Sequence, residues 1–411
     1  MDMNRLSRLY GGEEAAGRQI QRFDALRASF ARHFGDSANT VIVSAPGRTE
    51  IAGNHTDHNF GCVLAASVDM DTVACVRRTD SSVVTLYSEG YSRPFVVDVS
   101  DSAVHAEETG TTLALIRGVA AKLREAGFAA GGFEAEVTST VMSGSGLSSS
   151  AAFEVLIVSI NDALFNGWTV DAQLNAKISQ QAENLYFLKP CGLMDQMASA
   201  VGGLVAIDFQ GGGAKVESLT YDFAARGFTL CVVSAGGDHG NLTDEYAAIP
   251  AEMKTVARLL GGSALRDVED KIEESIPFLK GKAPDRAILR ALHFADENRR
   301  VRALLKALKN DDLSAFLAGI IASGESSWKL LQNLCVPGRE NQEMPLALEM
   351  SRRMLDGKGA WRIHGGGFAG TILAFVPTGM FADYRARMES VFGAGAVKPL
   401  YVRPEGAALL G

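Results

Sequence analysis

Residues 142–167 read "MSGSGLSSSAAFEVLIVSINDALFNG". A glycine and serine loop runs straight into a segment, Ala151 to about Phe165, that is apolar nearly all round. Such a helix belongs inside a core, and Asn166-Gly167 stops it. A loop of small residues before a helix exposes free backbone N–H groups, and the helix N-terminus adds partial positive charge. Together these features bind phosphate. The hydroxyls of Ser148, Ser149 and Ser150 can donate to phosphate or ligate a cation. No lysine follows the last glycine, so the loop is not a Walker A motif. A plain turn with a serine N-cap fits the same residues, and the loop alone leaves both readings open.

Working outward, "GFEAEVTSTV" alternates like a half-buried strand leading into the loop, and "TTLALIRGVAAKLREAG" before it reads as a helix stopped by Gly127. After the loop, "DAQLNAKISQQAENLYFL" is a second helix with Asp171 as N-cap, ended by Pro190. "GLMDQMASAVGG" is a short third helix with Asp195 near its start. Toward the N-terminus, residues 12–34 are amphipathic. "TVIVSAPGR" is a buried strand ending at Pro46-Gly47, and "GCVLAASV", "DTVACVRR", "SVVTLYS" and "RPFVVDV" continue the strand pattern. Beyond Gly211-Gly212-Gly213 the chain turns to charged helices at 242–260, 284–308, 311–331 and 343–355, with strands "FTLCVVSA" and "TILAFVP" between them. This change places a boundary near the glycine turn, dividing residues 1–210 from 211–411.

Composition narrows the function. The chain has 411 residues, 47% hydrophobic and 21% charged, which fits one large or two ordinary globular domains. A net charge of −8 without a Lys/Arg block argues against a nucleic-acid surface. No apolar run is long enough to span a membrane, and "MDMNRLSRLYGGEE" lacks a signal-peptide core. Five scattered cysteines without a CxxC read as reduced thiols, so a cytoplasmic protein is expected.

Three further segments carry polar chemistry. "HGGGFAGT" allows close backbone approach by a partner, or is a turn between strands. Glu183 and Asp195 flank Pro190-Cys191-Gly192, where a carboxylate in a first helical turn often only complements the dipole. "GRTEIAGNHTDHNFG", Gly47 to Gly61, sets two imidazoles three residues apart with no other histidine cluster among the seven in the chain. That is a poor zinc set. Asp57 among amide and imidazole donors suits paired hydroxyls instead, as in a sugar.

Taken together, these segments resemble the GHMP kinase superfamily, and most closely the galactokinases. The resemblance rests on Pro46-Gly47-Arg48, Gly53, His55-Thr56-Asp57, Asn59, Gly61 and Val63-Leu64, on "GLSSSA", "QQAEN", "CGLMDQ", "LTDEYAA" and "GGGFAG". These occur in the family's order over about residues 40–375. It implies an α+β, two-domain kinase: an N-terminal mixed sheet with helices, a C-terminal ferredoxin-like α/β domain, and the active site in the cleft between them. It also implies a monomer that uses ATP and Mg²⁺ to phosphorylate galactose or a galactose-like sugar at the anomeric hydroxyl. By motif, Arg48 and Asp195 would be the catalytic pair. Gly144, Ser145, Gly146, Leu147, Ser148, Ser149 and Ser150 would cradle the phosphates, and Ser150 and Glu183 would ligate Mg²⁺. Asn54, His55, Asp57, Gly192 and Tyr246 would face the sugar. Where galactokinases carry Asn and Glu, this chain has Glu50 and Asn54. The missing Glu would contact the hydroxyl at the sugar's sixth carbon, so Asn54 predicts tolerance there. The alternative is an inactive relative that senses sugar and nucleotide and binds a regulatory protein. The intact Arg48, Asp195, Glu183 and "GLSSSA" favour the enzyme.

Overall fold

The computed structural model describes all residues except 142–145, 237–241 and 369, and for Thr243 the backbone only. Two sheets organise it. The first is built from β1 (Val41–Ala52), β2 (Cys62–Arg78), β3 (Val83–Ser88), β4 (Phe95–Asp98), β5 (Phe133–Ser139), β6 (Leu204–Asp208) and β7 (Lys215–Leu219). The second holds β8 (Phe228–Gly236), β9 (Ala360–His364), β10 (Gly370–Pro377) and β11 (Val397–Leu400). A short β12 (Ala408–Leu409) brings the chain's end back to β1. The first sheet runs β12-β1-β2-β5-β3-β4, with the β6–β7 hairpin branching from β2. Only β3 with β5 is parallel. The Gly211–Gly213 turn closes the β6–β7 hairpin.

The second sheet has the order β11-β8-β10-β9, all antiparallel. Counted within the sheet this is 4-1-3-2, the ferredoxin-like arrangement. Period-2 alternation gives each strand two jobs. Cys231, Val233 and Ala235 face a core with helices α11 (Glu343–Leu355) and α12 (Phe381–Phe392). Leu230 and Val232 face a core shared with Leu64, Ala66 and Val68 of β2. That shared core also includes Leu147 and Ala152, so it joins the two sheets directly beneath the glycine–serine loop.

The remaining helices are α1 (Met3–Tyr10), α2 (Glu13–Phe34), α3 (Thr112–Glu125), α4 (Ser149–Asn161), α5 (Ala172–Ala182), α6 (Met194–Val201), α7 (Thr243–Leu259), α8 (Ile276–Leu279), α9 (Asp285–Lys309) and α10 (Leu313–Ser326). As its composition requires, α4 is central, with Val155 to Val158 and Ile160 fully buried. No helix among the described residues is long and apolar enough to cross a membrane.

β1 differs from its sequence reading. It does not end at Pro46-Gly47 but continues to Ala52. Its register with β2 slips between Pro46 and Arg48 and again between Glu50 and Ala52. Such irregularities absorb a residue that cannot pair and re-aim the side chains beside them. Arg48 lies between the two slips.

Candidate active site

Arg48 meets Asp195 edge to edge. Nε donates to Oδ1 at 2.7 Å and Nη2 to Oδ2 at 2.6 Å, the two-bond geometry that a planar guanidinium offers a carboxylate. Arg48 Nη1 donates to the Gly146 carbonyl, and Ser148 Oγ donates to Asp195 Oδ2 at 2.6 Å. Burial by itself would raise the Asp195 carboxyl. The Arg48 charge and the Arg48 and Ser148 hydrogen bonds outweigh it and hold the group below the usual carboxylate range. Burial likewise opposes the Arg48 charge, and Asp195 overrides it.

The serine does not serve as a cap. Ser148 precedes α4 with φ 60°, in the left-handed region, and makes no side-chain bond to the helix. A non-glycine residue there is strained, and such strain gathers at functional sites. Its hydroxyl is aimed at Asp195 instead. Gly146 has φ 74°, and a Cβ on it would lie 2.8 Å from both His364 Nδ1 and Thr371 Oγ1, so the loop can approach only because this residue is glycine.

Glu183 stands where α5 widens into a π-helical turn, Glu183–Phe187, a distortion common at functional sites. Its Oε1 accepts from Lys189 Nζ at 3.0 Å and its Oε2 from Gln196 Nε2 at 2.9 Å. The same Gln196 amide donates to Glu154 Oε2 at 3.0 Å. Glu154 is fully buried one helical turn beyond Ser150, and its Oε1 has no hydrogen-bond partner among the described residues. Burial, then the nearby Glu183, pushes the Glu154 carboxyl well above its ordinary value.

A cavity of about 300 Å³ gathers Arg48, Gly146, Ser148, Ser149, Ser150, Glu183, Asp195 and Tyr246, together with His364 and the following glycines. These come from both sheets' flanks. Gly144 and Ser145 lie outside the described residues. Leu147 has its side chain wholly in the shared core, and its carbonyl accepts from the Arg48 N–H at 3.0 Å.

The histidine-rich loop divides its side chains. Asn54, Thr56 and Asn59 point inward and are essentially inaccessible, whereas His55 and Asp57 are partly exposed and His58 is exposed. Asp57 Oδ2 lies over Gly192, where a Cβ would come within 2.0 Å of it. His55 Nε2 donates to the Gly366 carbonyl at 2.8 Å, and Tyr246 Oη to that of Gly367 at 2.8 Å. Burial lowers the His55 pKa, which keeps the ring neutral.

The expectation that Asn54 faces the sugar is not met. Its Nδ2 donates to Glu50 Oε1 at 3.0 Å and to the Gly365 carbonyl at 2.7 Å. Its Oδ1 accepts from Asn333 Nδ2 at 2.8 Å and Ser327 Oγ at 3.4 Å. An amide has two hydrogens and two lone pairs, and all are engaged by protein. Glu50 is paired with buried Arg362 at 2.9 Å. The exchanged Glu and Asn are thus bonded to each other.

Several supporting residues carry no signal in the motifs. On α9, Glu297 accepts from the Gly53 N–H at 2.9 Å, Asn298 from the Cys62 N–H at 2.7 Å, and His293 donates to the Asn54 carbonyl at 2.9 Å. With Arg290 these residues are fully buried at helical-face spacing, a polar seam on a helix that the sequence shows only as charged.

Residues 28–78 match the galactokinase galactose-binding signature and residues 114–203 the GHMP kinase N-terminal domain. A galactokinase of Streptomyces coelicolor is 31% identical over 396 residues, covering 94% of this chain and 95% of the relative. The chain belongs to the galactokinase family. It is a carbohydrate kinase. A galactokinase of Actinobacillus pleuropneumoniae is 30% identical over 87% of this chain and 90% of its own length. In three dimensions the fold is similar to Lactococcus lactis galactokinase complexed with galactose (TM-score 0.82, 23% identity, 94% of this chain and all of that one). It is more distantly similar to mevalonate kinase of Methanococcus jannaschii (TM-score 0.63, 13% identity, 89% and 99% covered).

Proposed function

We propose that the chain transfers the γ-phosphoryl group of ATP to the anomeric hydroxyl of galactose or a galactose-like sugar, in the cleft between the two sheets. The observation that carries this reading is the two-bond Arg48–Asp195 pair beside the start of α4. Phosphoryl transfer needs positioning and charge stabilisation more than covalent chemistry. A carboxylate held below its usual range is a weak base. Asp195 therefore orients the sugar hydroxyl and takes its proton late, as the bond to phosphorus forms. Arg48 keeps Asp195 ionised and stabilises charge on the transferring group. The backbone around Gly146 and the hydroxyls of Ser149 and Ser150 receive phosphate oxygens at the N-terminus of α4. Asp57 and His55, two of the outward residues of their loop, meet the sugar hydroxyls, with Gly192 leaving room for Asp57 and Tyr246 beside the glycine segment.

The residues also fit Mg²⁺. Glu183 and Ser150 offer hard oxygen donors in one cavity. Glu183 and Ser150 would hold the ion, which when bound neutralises phosphate charge. Lys189 supplies charge to the same carboxylate from the cavity rim.

The inactive-sensor alternative has no observation in its favour. The test is a product analysis. The chain, ATP, Mg²⁺ and galactose should give a sugar phosphate whose phosphorus-31 signal is split by the anomeric proton and which no longer reduces copper. A product that still reduces copper, or no ATP consumption with any free hexose, overturns the reading.

A further inference from the structure

The free edge of β1 is closed by something other than a strand. Its pairing with β12 covers Val43 and Ser44. Past the register slip, the Arg48 N–H goes to the Leu147 carbonyl at 3.0 Å, and the Glu50 N–H goes to a side chain, His364 Nε2, at 3.2 Å. Thr49 Oγ1 lies 3.0 Å from that same nitrogen. A backbone N–H can only donate, so Nε2 is the bare nitrogen of the ring. The ring hydrogen then sits on Nδ1, 2.9 Å from Thr371 Oγ1 on β10. His364 is 2% exposed, and Gly146 packs against its Nδ1 side. One imidazole thus touches β1 at the two residues that follow Arg48, the glycine loop that receives Arg48 Nη1, and the neighbouring strand of the second sheet.

We propose that His364, in its Nδ1–H tautomer, is a positioning residue for phosphoryl transfer: it caps the open edge of β1 and so holds Arg48 in line with Asp195. The charged groups facing the ring are Arg48 from β1, Arg362 from its own strand and Asp195 from α6. Burial, then the two guanidiniums, disfavours a second proton. The inference rests on the phosphoryl-transfer reading above, since it assigns His364 to the aim of Arg48 rather than to any substrate contact.

Two substitutions separate the ring's nitrogens. In His364→Gln the amide reaches the place of Nε2 and can still accept from the Glu50 N–H. In His364→Asn it reaches only the place of Nδ1. Because Arg48 acts on charge that develops during transfer, the loss should fall on kcat and leave KM for both substrates nearly unchanged. His364→Asn should lose about tenfold to a hundredfold in kcat, the scale of a small misplacement. His364→Gln should stay within about threefold of the native protein. Equal losses in the two variants, or losses confined to KM, overturn the proposal. Nitrogen-15 spectra of the intact, histidine-labelled protein give a reading independent of folding of the variants and of activity. They should show His364 with a protonated Nδ1 and a bare Nε2, and a protonated Nε2 overturns the proposal. If the tautomer is as described but no sugar is phosphorylated, it is the functional reading that fails.

Discussion

The α4 side of the cavity and the histidine-rich loop are both rich in polar residues, but they use them in opposite ways. On the α4 side, Arg48, Ser148, Ser150, Glu183 and Asp195 all keep a face on the cavity. In the loop, Asn54, Thr56 and Asn59 are sealed in. Thr56 Oγ1 is shared between the Gly53 and Cys62 carbonyls, and Asn59 Oδ1 accepts from the Leu265 N–H. Only His55, Asp57 and His58 look outward. Half of the loop's polar residues are therefore scaffold, and this scaffold is tied to residues more than 200 positions away. A charged side chain beside a helix start is chemistry in waiting, whereas a buried amide with every valence engaged is structure.

The sharpest way to break this comparison is at Asp195. Asp195→Asn preserves shape and removes charge. A group that handles the sugar's proton contributes about 10²- to 10⁴-fold, so kcat should fall by at least about a hundredfold while thermal stability changes little. Steady-state kinetics on the purified variant, beside a thermal melt, decide it. Near-native turnover would move the chemistry elsewhere, and a folding defect of equal size would make Asp195 scaffold like Asn54.

Glu297 should behave in the reverse manner, as a loss of stability with little intrinsic effect on turnover. It is fully buried, accepts from the Gly53 N–H and Ser323, and is paired with Arg300. Burial would raise its carboxyl, but the Arg300 charge, then His293 and others, hold it down at about 2. Its folded pKa lies below the unfolded value. Its contribution is therefore present above the ordinary glutamate range and is lost as pH falls from about 4.5 toward about 2. A shift of that size is worth on the order of 3 kcal/mol at neutral pH. Glu297→Gln should cost about that much in urea unfolding at pH 7, with the gap from the native protein closing as pH falls through that window. A gap that is constant with pH would mean the charge is not what anchors the loop.

Legibility in the sequence follows the same division. The buried helix α4 was readable because its apolar residues leave no exposed face, and the ferredoxin-like unit was implied by the order of motifs. Arg48, Asp195, Glu183 and the outward Asp57 and His55 lie in segments that the family resemblance singles out. What could not be read is what holds them. The passage of β1 through Pro46-Gly47 depends on a register slip that β2 accommodates. The α9 seam of His293, Glu297 and Asn298 resembles the polar face of any charged helix until the loop it binds is in place. The serines of the loop left a phosphate cradle and an N-cap both open, and only the position of Asp195 shows where the Ser148 hydroxyl goes. Asn54 misled for the same reason: a motif position assigns a residue to a place, while its hydrogen-bond partners decide what it can still offer.

The smallest expected effect tests that last point. If Asn54 touched the substrate, its amide would govern preference at the sugar's sixth carbon, and removing it would reorder a series of sugars altered there. With both hydrogens and both lone pairs engaged by Glu50, Gly365, Asn333 and Ser327, it has nothing left to read a hydroxyl with. Asn54→Ala should lower stability by about 1 to 3 kcal/mol, because it strands buried partners. The ratio of kcat/KM between galactose and 6-deoxygalactose should nevertheless move by less than about threefold, which is below 1 kcal/mol. The comparison uses a ratio within one variant, so a general loss of folded protein or of loop order cancels from it. A shift beyond about tenfold would be the scale of a lost hydrogen bond to substrate. It would return Asn54 to the outward half of the loop and reopen the sixth carbon as the place where this chain's specificity is set.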